Sequence, residues 1–221
     1  MADAALVARL RAIPVAEMSD TLAAAGLPDQ VLSSEFRPVS TPFAFSGPAV
    51  CLKGEASTDA GLNITATDSA ILPGCIIIVG PGCACTGALV GGNMITSWRR
   101  LGCAGAVIDG LIRDSAAFDG LPALASGQTP MNNRGRWRFV SVEEPIDLPG
   151  QTAPVTVHPG DWLHGDADGT VVLPQDYLQQ IVEDAEELGR IERRMRTRIL
   201  AGDCRQAVYD GHDRFGHVRS V

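Results

Sequence analysis

Two short apolar runs, separated by a glycine-rich segment and a candidate helix, constrain the fold of this chain more than any other feature. The first run covers residues 76–79 and follows a Pro-Gly turn, and the second covers residues 104–108. Short apolar runs that are bounded by turn residues are typical of buried strands. Residues 94–101 lie between the two runs and can form a helix. This strand–loop–helix–strand unit predicts an α/β protein.

Further elements are predicted on both sides of this unit. Two helices, Ala4–Arg11 and Val15–Ala25, open the chain, and Gly26 stands where a helix-ending glycine is expected. The other strands are predicted at residues 49–53, 137–142, 153–157 and 170–173, so the sheet is expected to be mixed. No linker or low-complexity run divides the chain, which predicts a single domain over residues 1–221.

The clearest predicted helix lies near the C-terminus, at residues 176–200. Its apolar residues recur at steps of three and four, as on one face of a helix. Its acidic residues lie toward the N-terminal half and its arginines toward the other half, which is the order that the helix dipole favours. Because this amphipathic helix follows an otherwise complete domain, it can pack on a neighbouring subunit instead of its own.

Charge and hydropathy argue against several classes of partner. The formal net charge is -8 and the pI is near 4.9, whereas a nucleic-acid groove normally needs a concentrated basic face. The apolar runs are far too short to span a bilayer, and residues 1–14 lack an apolar signal core. We therefore expect a cytoplasmic protein that binds neither nucleic acid nor a membrane.

Cysteine and histidine usage gives little sign of a soft-metal site. The six cysteines show neither paired CxxC motifs nor the density of a disulfide scaffold, and we interpret most of them as buried apolar residues. Cys83 and Cys85 could ligate a soft metal, but zinc takes four ligands and the histidines lie far off in sequence. The four histidines form no metal-binding helix motif, so structural or surface roles are expected.

Three arginines, Arg134, Arg136 and Arg138, alternate beside Trp137. On a strand they would share one face, and that face could hold a small anionic ligand or a carboxylate-bearing neighbour. A solvated edge strand is the simpler interpretation.

The glycine-rich segment could bind an anion. Gly87, Gly91 and Gly92 precede the helix predicted from Met94, so backbone N–H groups there can point at a carboxylate or a phosphate, helped by the positive end of the helix dipole. A dinucleotide or S-adenosylmethionine loop is the rival interpretation, and it fails because Cys85 stands where the third glycine of GxGxxG belongs. A P-loop fails as well, because the segment has no GK[ST].

Arg113 and Asp114 follow the predicted strand at residues 104–108. A surface ion pair is the simplest explanation of two adjacent opposite charges. However, loop residues that a buried strand holds in place often carry function, and the intervening helix and strand can return this pair to the glycine loop. One carboxylate plus water is a common way to hold Mg²⁺, so Asp114 could anchor the ion. Arg113 could then stabilise charge on a substrate oxygen.

Five segments together resemble one known family. They are SDTLAAAG at residues 19–26, SGPA at 46–49, PGCIIIV at 73–79, GGNMITSWRRLGCAGAVIDGLIRD at 91–114 and HPGDWLHGDADGTVVLP at 158–174. These motifs are similar to those of the 4-hydroxy-4-methyl-2-oxoglutarate aldolase family, which also contains oxaloacetate decarboxylases and the ribonuclease regulator RraA. The resemblance covers roughly residues 15–190, and the DGxxRD element with its upstream GG loop is its most specific part.

The resemblance implies a fold, an assembly and a set of site residues. The fold is a swivelling-type β/β/α sandwich, and the assembly is a homotrimeric ring or a homohexamer of two rings with sites at subunit interfaces. A divalent metal, Mg²⁺ or Mn²⁺, would be anchored by Asp114, and Arg113 would contact the substrate as the catalytic arginine. The pyruvyl carboxylate would be bound by the backbone amides of the loop, which are those of Gly91, Gly92, Asn93 and Met94.

The implied reaction is metal-assisted cleavage of a carbon–carbon bond in a 2-oxo di- or tricarboxylic acid, with release of pyruvate. Candidate substrates are 4-hydroxy-4-methyl-2-oxoglutarate and oxaloacetate. Retro-aldol cleavage also needs a base, and family aldolases commonly carry an acidic residue at the second position of the glycine loop, where this chain has Gly92. Some members receive an acidic residue from a neighbour's C-terminal region. Decarboxylation of oxaloacetate needs only a stabilised enolate.

The alternative function belongs to a different class, a non-enzymatic protein-binding regulator of ribonuclease activity of the RraA type. That regulator lacks the aspartate after its arginine, so the intact pair of Arg113 and Asp114 favours an enzyme. An enzyme of the same fold with different chemistry is a third possibility. Residues 132–138, NNRGRWR, depart from the aldolase pattern, which suggests different substrate contacts.

Overall fold

The computed structural model describes residues 3–41, 43–82 and 84–221, which form a mixed α/β fold. The helices are α1 (Ala4–Arg11), α2 (Val15–Ala25), α3 (Ile64–Ser69), α4 (Gly92–Arg100), α5 (Leu178–Leu200) and α6 (Arg205–Asp210), with short 3-10 turns at Ser115–Phe118 and Gln175–Tyr177. The strands are β1 (Arg37–Pro38), β2 (Phe45–Ala56), β3 (Ile76–Gly80), β4 (Ala88–Val90), β5 (Gly105–Ile112), β6 (Ala123–Gln128), β7 (Trp137–Val142), β8 (Ile146–Leu148), β9 (Val155–Val157), β10 (Trp162–Asp166) and β11 (Gly169–Leu173).

Nine strands of the described residues form one mixed sheet, in the order β1-β6-β5-β3-β2-β10-β11. Off this path, β4 pairs with β5 and β7 pairs with β2. Neighbouring strands are parallel from β2 through β3 and β5 to β6, whereas β7 and β10 join β2 in antiparallel fashion. The α/β class and the mixed sheet predicted from the sequence are therefore confirmed.

The central strand β3 explains why the run at residues 76–79 is apolar throughout. Ile77 and Val79 face a core that α4 covers, and Ile76 and Ile78 face a second core that includes the β8–β9 hairpin. All four side chains are fully buried. Since alternate residues of a strand point to opposite faces, a strand covered on both faces loses its polar positions.

A third core joins the terminal helices to strands β10 and β11. Met18 and Leu22 of α2 pack there with Ile181 and Ala185 of α5. The long C-terminal helix is confirmed and begins at Leu178, two residues later than predicted. Much of its apolar face is thus buried within the same chain, and packing on a neighbouring subunit stays a prediction.

None of the helices in the described part of the chain combines the length and the apolar character that crossing a membrane requires.

Near the predicted site, the end of one strand and the start of one helix differ from the sequence prediction. The strand predicted at residues 104–108 continues to Ile112, because residues 111 and 112 still pair with β4 and β6 after an irregularity near Gly110. The helix predicted from Met94 begins at Gly92, and a short strand, β4, lies within the glycine-rich segment. Arg113 therefore follows its strand directly.

The alternating arginines do not share a strand. Arg134 and Arg136 lie in a turn before β7, and only Arg138 belongs to the strand. The strand cannot extend further back because Gly135 adopts a left-handed backbone conformation (φ 67°). Arg138 does meet a carboxylate neighbour, since its Nη2 atom lies 2.7 Å from Oε1 of Glu55.

Candidate active site

The glycine loop and the pair of Arg113 and Asp114 meet where two neighbouring parallel strands end. β4 ends at Val90 and β5 at Ile112, and the amide of Arg113 donates a hydrogen bond of 3.1 Å to the carbonyl of Val90. In open α/β sheets the carboxyl ends of parallel strands are where ligands usually bind. The structure thus brings the two predicted segments to one edge of the sheet.

The carboxylate of Asp114 caps the first turn of α4. Its Oδ2 atom accepts a hydrogen bond of 2.9 Å from the backbone amide of Gly92, the first residue of that helix. Asp114 itself has a left-handed backbone (φ 58°) as it enters the 3-10 turn Ser115–Phe118. Such a conformation costs a residue with a side chain about 1 kcal/mol or more, so this position is held by its surroundings.

Both glycines that face this carboxylate lie in close contact with it. A Cβ atom on Gly91 would lie 3.0 Å from Nε of Arg113 and 3.2 Å from Oδ2 of Asp114. A Cβ atom on Gly92 would lie 3.0 Å from Cβ of Asp114. The absence of side chains allows the carboxylate to approach the helix terminus closely, and a side chain at position 92 would require Asp114 to shift.

Two of the four loop amides predicted to bind a carboxylate are already engaged. The amide of Gly92 donates to Asp114, and that of Met94 donates to the carbonyl of Gly91 over 3.1 Å. The amides of Gly91 and Asn93 make no hydrogen bond within the described part of the chain. Asn93 lies in the first turn of α4, where unpaired amides and the helix dipole favour an anion.

A small cavity of about 140 Å³ lies over this junction. Its lining comes from three segments, and the members are Ala88, Leu89, Gly91, Gly92, Asn93, Met94, Arg113, Asp114, Asn132 and Asn133. The side chains of Arg113 and Asp114 are 41% and 58% exposed, with 3.7 Å between Nε and Oδ2. They are the only ionisable side chains among these lining residues.

Larger cavities lie elsewhere, and in two of them a prominent polar side chain is used by the fold. One of about 610 Å³ includes Asp161, whose two oxygens accept hydrogen bonds from the amides of His158 and Gln175 at 2.8 and 3.0 Å. Another includes His164, which is buried and bonded to Ser46 and to the carbonyl of Ile13. Burial lowers the pKa of His164, which fits the structural role expected for the histidines.

The donor set around Asp114 fits a hard divalent cation better than zinc. Among the described residues, no group of three or more His, Cys, Asp or Glu side chains could hold a metal together. The Oδ1 atom of Asp114 makes no hydrogen bond in this part of the chain, so one carboxylate oxygen is available. A single carboxylate with retained water suits Mg²⁺ or Mn²⁺, whereas zinc requires several nitrogen or sulfur ligands.

Only one cysteine of the suggested soft-metal pair lies in the described residues. Cys85 is buried, and Cys83 lies outside the described residues. Four cysteines are buried as predicted, namely Cys51, Cys75, Cys85 and Cys103, and Cys204 is exposed.

Two further features were not among the site residues predicted from the sequence. Asn132 and Asn133 line the cavity although they precede β7 by several residues; the departure of NNRGRWR from the aldolase pattern was the available signal. Asp109 is buried in β5, and its Oδ2 atom accepts a hydrogen bond of 3.4 Å from the amide of Gly82. Its Oδ1 atom has no partner in the described residues, and burial raises the pKa of this carboxyl.

Comparison with known proteins identifies relatives. The sequence model of one family, RraA-like (Aldolase/RraA), matches residues 15–172 of this chain. A curated relative from Albidiferax ferrireducens, named "Putative 4-hydroxy-4-methyl-2-oxoglutarate aldolase", is 36% identical over 152 residues, which are 65% of this chain and 84% of the relative. A relative of the same name from Burkholderia mallei is 35% identical over 72% of this chain and 92% of the relative.

Solved structures share the fold. The Streptomyces coelicolor protein RraAS2, described as an unusual member of the RNase ES inhibitor RraA protein family, has a TM-score of 0.78 at 26% identity and covers 90% of this chain and 100% of its own. An uncharacterized protein from Pseudomonas syringae pv. tomato has a TM-score of 0.81 at 20% identity over 95% of both chains. The fold class implied by the resemblance is therefore confirmed.

Proposed function

Because this chain belongs to the RraA-like family of aldolases and RraA proteins, we propose that it is a divalent-metal-dependent lyase that cleaves a carbon–carbon bond of a 2-oxo acid and releases pyruvate. The relatives named as aldolases support lyase chemistry. The observation that carries the proposal is that Arg113, Asp114 and the first turn of α4 share one small cavity.

The 2-oxo acid end of the substrate binds at the first turn of α4. Its carboxylate accepts a hydrogen bond from the free amide of Asn93, and the dipole of α4 stabilises the negative charge. The guanidinium of Arg113 is partly exposed at the same cavity and lies beside the substrate's keto oxygen. These contacts hold the reacting carbon atoms in one orientation.

Asp114 is the residue that would hold the metal, through the oxygen that α4 does not use. When bound, a divalent cation acts as a Lewis acid that polarises the keto oxygen.

During the reaction, the bond between the carbon next to the keto group and the carbon beyond it breaks, and its electron pair moves into the enolate of pyruvate. The departing carbon leaves as CO2 in decarboxylation, or as the carbonyl carbon of a second product in retro-aldol cleavage. Arg113 stabilises the negative charge that develops on the enolate oxygen, which is a form of preorganised electrostatic catalysis. Protonation of the carbon then gives pyruvate. Arg113 donates hydrogen bonds throughout and stays charged, because guanidinium does not lose its proton in proteins.

Proton transfer separates two versions of this reaction. Retro-aldol cleavage needs a base for the substrate hydroxyl, and the described cavity lining offers no ionisable group besides Arg113 and Asp114. Decarboxylation of a 2-oxo acid with a carboxylate on the next carbon, such as oxaloacetate, needs no such base. The residues of this chain therefore support decarboxylation more directly than retro-aldol cleavage of 4-hydroxy-4-methyl-2-oxoglutarate.

A pyruvate-release assay tests the proposal. Oxaloacetate and several 4-hydroxy-2-oxo acids are compared with added Mg²⁺, with added Mn²⁺ and with a chelator, using the wild type and Asp114→Ala. We expect metal-dependent pyruvate formation that Asp114→Ala abolishes, while Arg205→Ala, an exposed arginine on α6, retains it. Full activity of Asp114→Ala, or undiminished activity in chelator, contradicts the proposed site.

The second candidate function is an RraA-type regulator that binds a ribonuclease. The likeness to RraAS2 over its full length favours it. The presence of Asp114 beside Arg113 favours the enzyme instead, as argued from the sequence. Tight ribonuclease binding in a pull-down, together with no metal-dependent turnover, would favour the regulator over the enzyme.

We also propose that the protein forms a homo-oligomer. The resemblance implies a homotrimer or a homohexamer, and light scattering of the purified protein distinguishes these from a monomer.

A further inference from the structure

A cavity of about 480 Å³ lies between β1 and the hairpin turn that joins β10 to β11. It is called the Arg37 cavity below, and it shares no lining residue with the cavity over Asp114. The chain that leads to β1 is fixed by backbone bonds, since the amides of Leu32 and Ser33 donate to the carbonyls of Thr170 and Pro149, each over 2.9 Å. The walls of the Arg37 cavity therefore have defined positions.

The floor of the Arg37 cavity is apolar and rigid. Four of its lining side chains, Leu32, Phe36, Phe43 and Leu124, are buried and belong to the second core. The ring of Phe43 also packs edge-on against Phe45, with 5.1 Å between the ring centroids. An apolar group that enters the cavity is removed from water against this floor, which favours its binding.

One side of the rim offers hydrogen-bond donors that the fold does not use. Arg37 is exposed, and its guanidinium forms no ion pair or hydrogen bond within the described residues. The side chain of Gln151 is oriented by its Oε1 atom, which accepts a hydrogen bond of 3.0 Å from the amide of Ser34. Its Nε2 atom has no partner in the same part of the chain. These groups suit a carboxylate.

The opposite charge comes from the β10–β11 turn. Asp168 is exposed and lines the cavity, and its carboxylate has no partner among the described residues. The turn itself is held by Asp166, whose Oδ1 and Oδ2 atoms accept hydrogen bonds from the amides of Asp168 and Val15, both over 2.9 Å. The fold thus uses the carboxylate of Asp166 and leaves that of Asp168 available to a cation.

We propose that the Arg37 cavity binds an α-amino acid with an apolar side chain. The carboxylate of the ligand accepts hydrogen bonds from Arg37 and Gln151, its ammonium group pairs with Asp168, and its side chain covers the apolar floor. A simple carboxylic acid would leave Asp168 unpaired, and a simple amine would leave Arg37 unpaired. This inference does not rest on the proposed function, because the two cavities share no residue.

Ligand-observed NMR titration tests this site without turnover. The probes are L-leucine, L-methionine and L-phenylalanine, together with two analogues of leucine. One analogue, 4-methylpentanoate, lacks the ammonium group, and the other, 3-methylbutylamine, lacks the carboxylate. We expect saturable binding of at least one amino acid, with the strongest saturation transfer to its side-chain protons, and binding of both analogues that is about threefold to tenfold weaker than that of leucine.

Two variants remove one charge each from the rim. Arg37→Met keeps a long side chain without the guanidinium, and Asp168→Asn keeps the shape of the side chain without its charge. Each should weaken the best-bound amino acid about threefold to tenfold. Arg205→Met removes an exposed arginine that does not line the cavity and should retain the wild-type affinity. Neither a chelator nor Asp114→Ala should change this affinity.

Three results would overturn the site: none of the three amino acids binds, both analogues bind as tightly as leucine, or both rim variants retain the wild-type affinity. Circular dichroism shows whether each variant is folded, and the comparison of leucine with its analogues uses the wild type alone. None of these results bears on pyruvate formation, so this site and the proposed function can fail separately.

Discussion

The Oδ2 atom of Asp114 lies 2.9 Å from the backbone nitrogen of Gly92, which joins the end of β5 to the start of α4. The bond gives a helix terminus an acidic cap, which a helix dipole favours. It also orients the carboxylate, so that its other oxygen is the one available to a ligand. One residue therefore links the stability of α4 to the geometry of the proposed site.

Asp114→Asn should separate these two roles. The amide oxygen of asparagine can still accept the bond from Gly92, so the midpoint of thermal unfolding should change by only a few degrees. The lost negative charge should reduce pyruvate formation by about 100-fold or more, because the remaining amide is a poor ligand for a hard cation. Circular dichroism melting and the pyruvate assay measure both effects. Retained activity with Asn would argue against Asp114 as the metal residue.

Arg113→Lys keeps the charge and removes the planar fork of donors. Since loss of one preorganised donor to a developing oxyanion typically costs about 100-fold in kcat or more, we expect a fall of that size in kcat, with a smaller change in KM. Arg205→Lys makes the same replacement at an exposed residue that does not line the cavity and serves as control. Equal kcat values for both variants would remove Arg113 from the proposed mechanism.

Gly91→Ala tests the steric requirement at the loop. The new methyl group would lie 3.0 Å from Nε of Arg113 and 3.2 Å from Oδ2 of Asp114, so these two side chains must shift. We expect activity to fall about tenfold or more, since small displacements of catalytic groups have large effects. The free energy of unfolding should change little, because the displaced groups are partly exposed. A fully active variant would show that the site tolerates the displacement.

Asp109→Asn should stabilise the protein in a pH-dependent way. Burial raises the pKa of this carboxyl above its value in the unfolded chain, so its contribution to stability is fully present below about pH 4 and is lost as the pH rises through the folded-state pKa. Asparagine stays neutral and can still accept the bond from Gly82. We expect the asparagine variant to be more stable than the wild type at about pH 7.5, by an amount that shrinks toward pH 4.

Urea unfolding of both proteins at the two pH values measures this difference. A gain of equal size at both pH values would mean that Asp109 ionisation is not its cause.

The sequence predicted the central buried strand well, because burial on both faces leaves only apolar residues in it. Strand β3 is covered on both faces, so every position from Ile76 to Val79 had to be apolar and the run was unmistakable. The end of β5 was harder to predict, since Asp109 and Gly110 interrupt its apolar run although the strand continues to Ile112. A buried carboxylate such as Asp109 is rare, so the sequence pattern gives little reason to extend a buried strand across it.

The turn before β7 shows a second feature that the sequence alone does not predict. Arg134, Arg136 and Arg138 have the alternation of a strand face, but Gly135 and the bonds to Asn133 make the first two part of a turn. Local alternation cannot reveal this, because the turn depends on pairing with β4, more than forty residues earlier in the chain.

By itself, the sequence determined the α/β class, the terminal helices and the candidate pair of Arg113 and Asp114, because periodicity, turn residues and motifs are local properties of the chain. Only the tertiary structure decided that Asp114 caps α4, that two of the four loop amides are already bonded, and that Asn133 lines the same cavity. These relations join β4, β5 and the turn before β7. They depend on which strands become neighbours, and hydrogen-bonded pairing across a sheet leaves no local trace in the residues that it brings together.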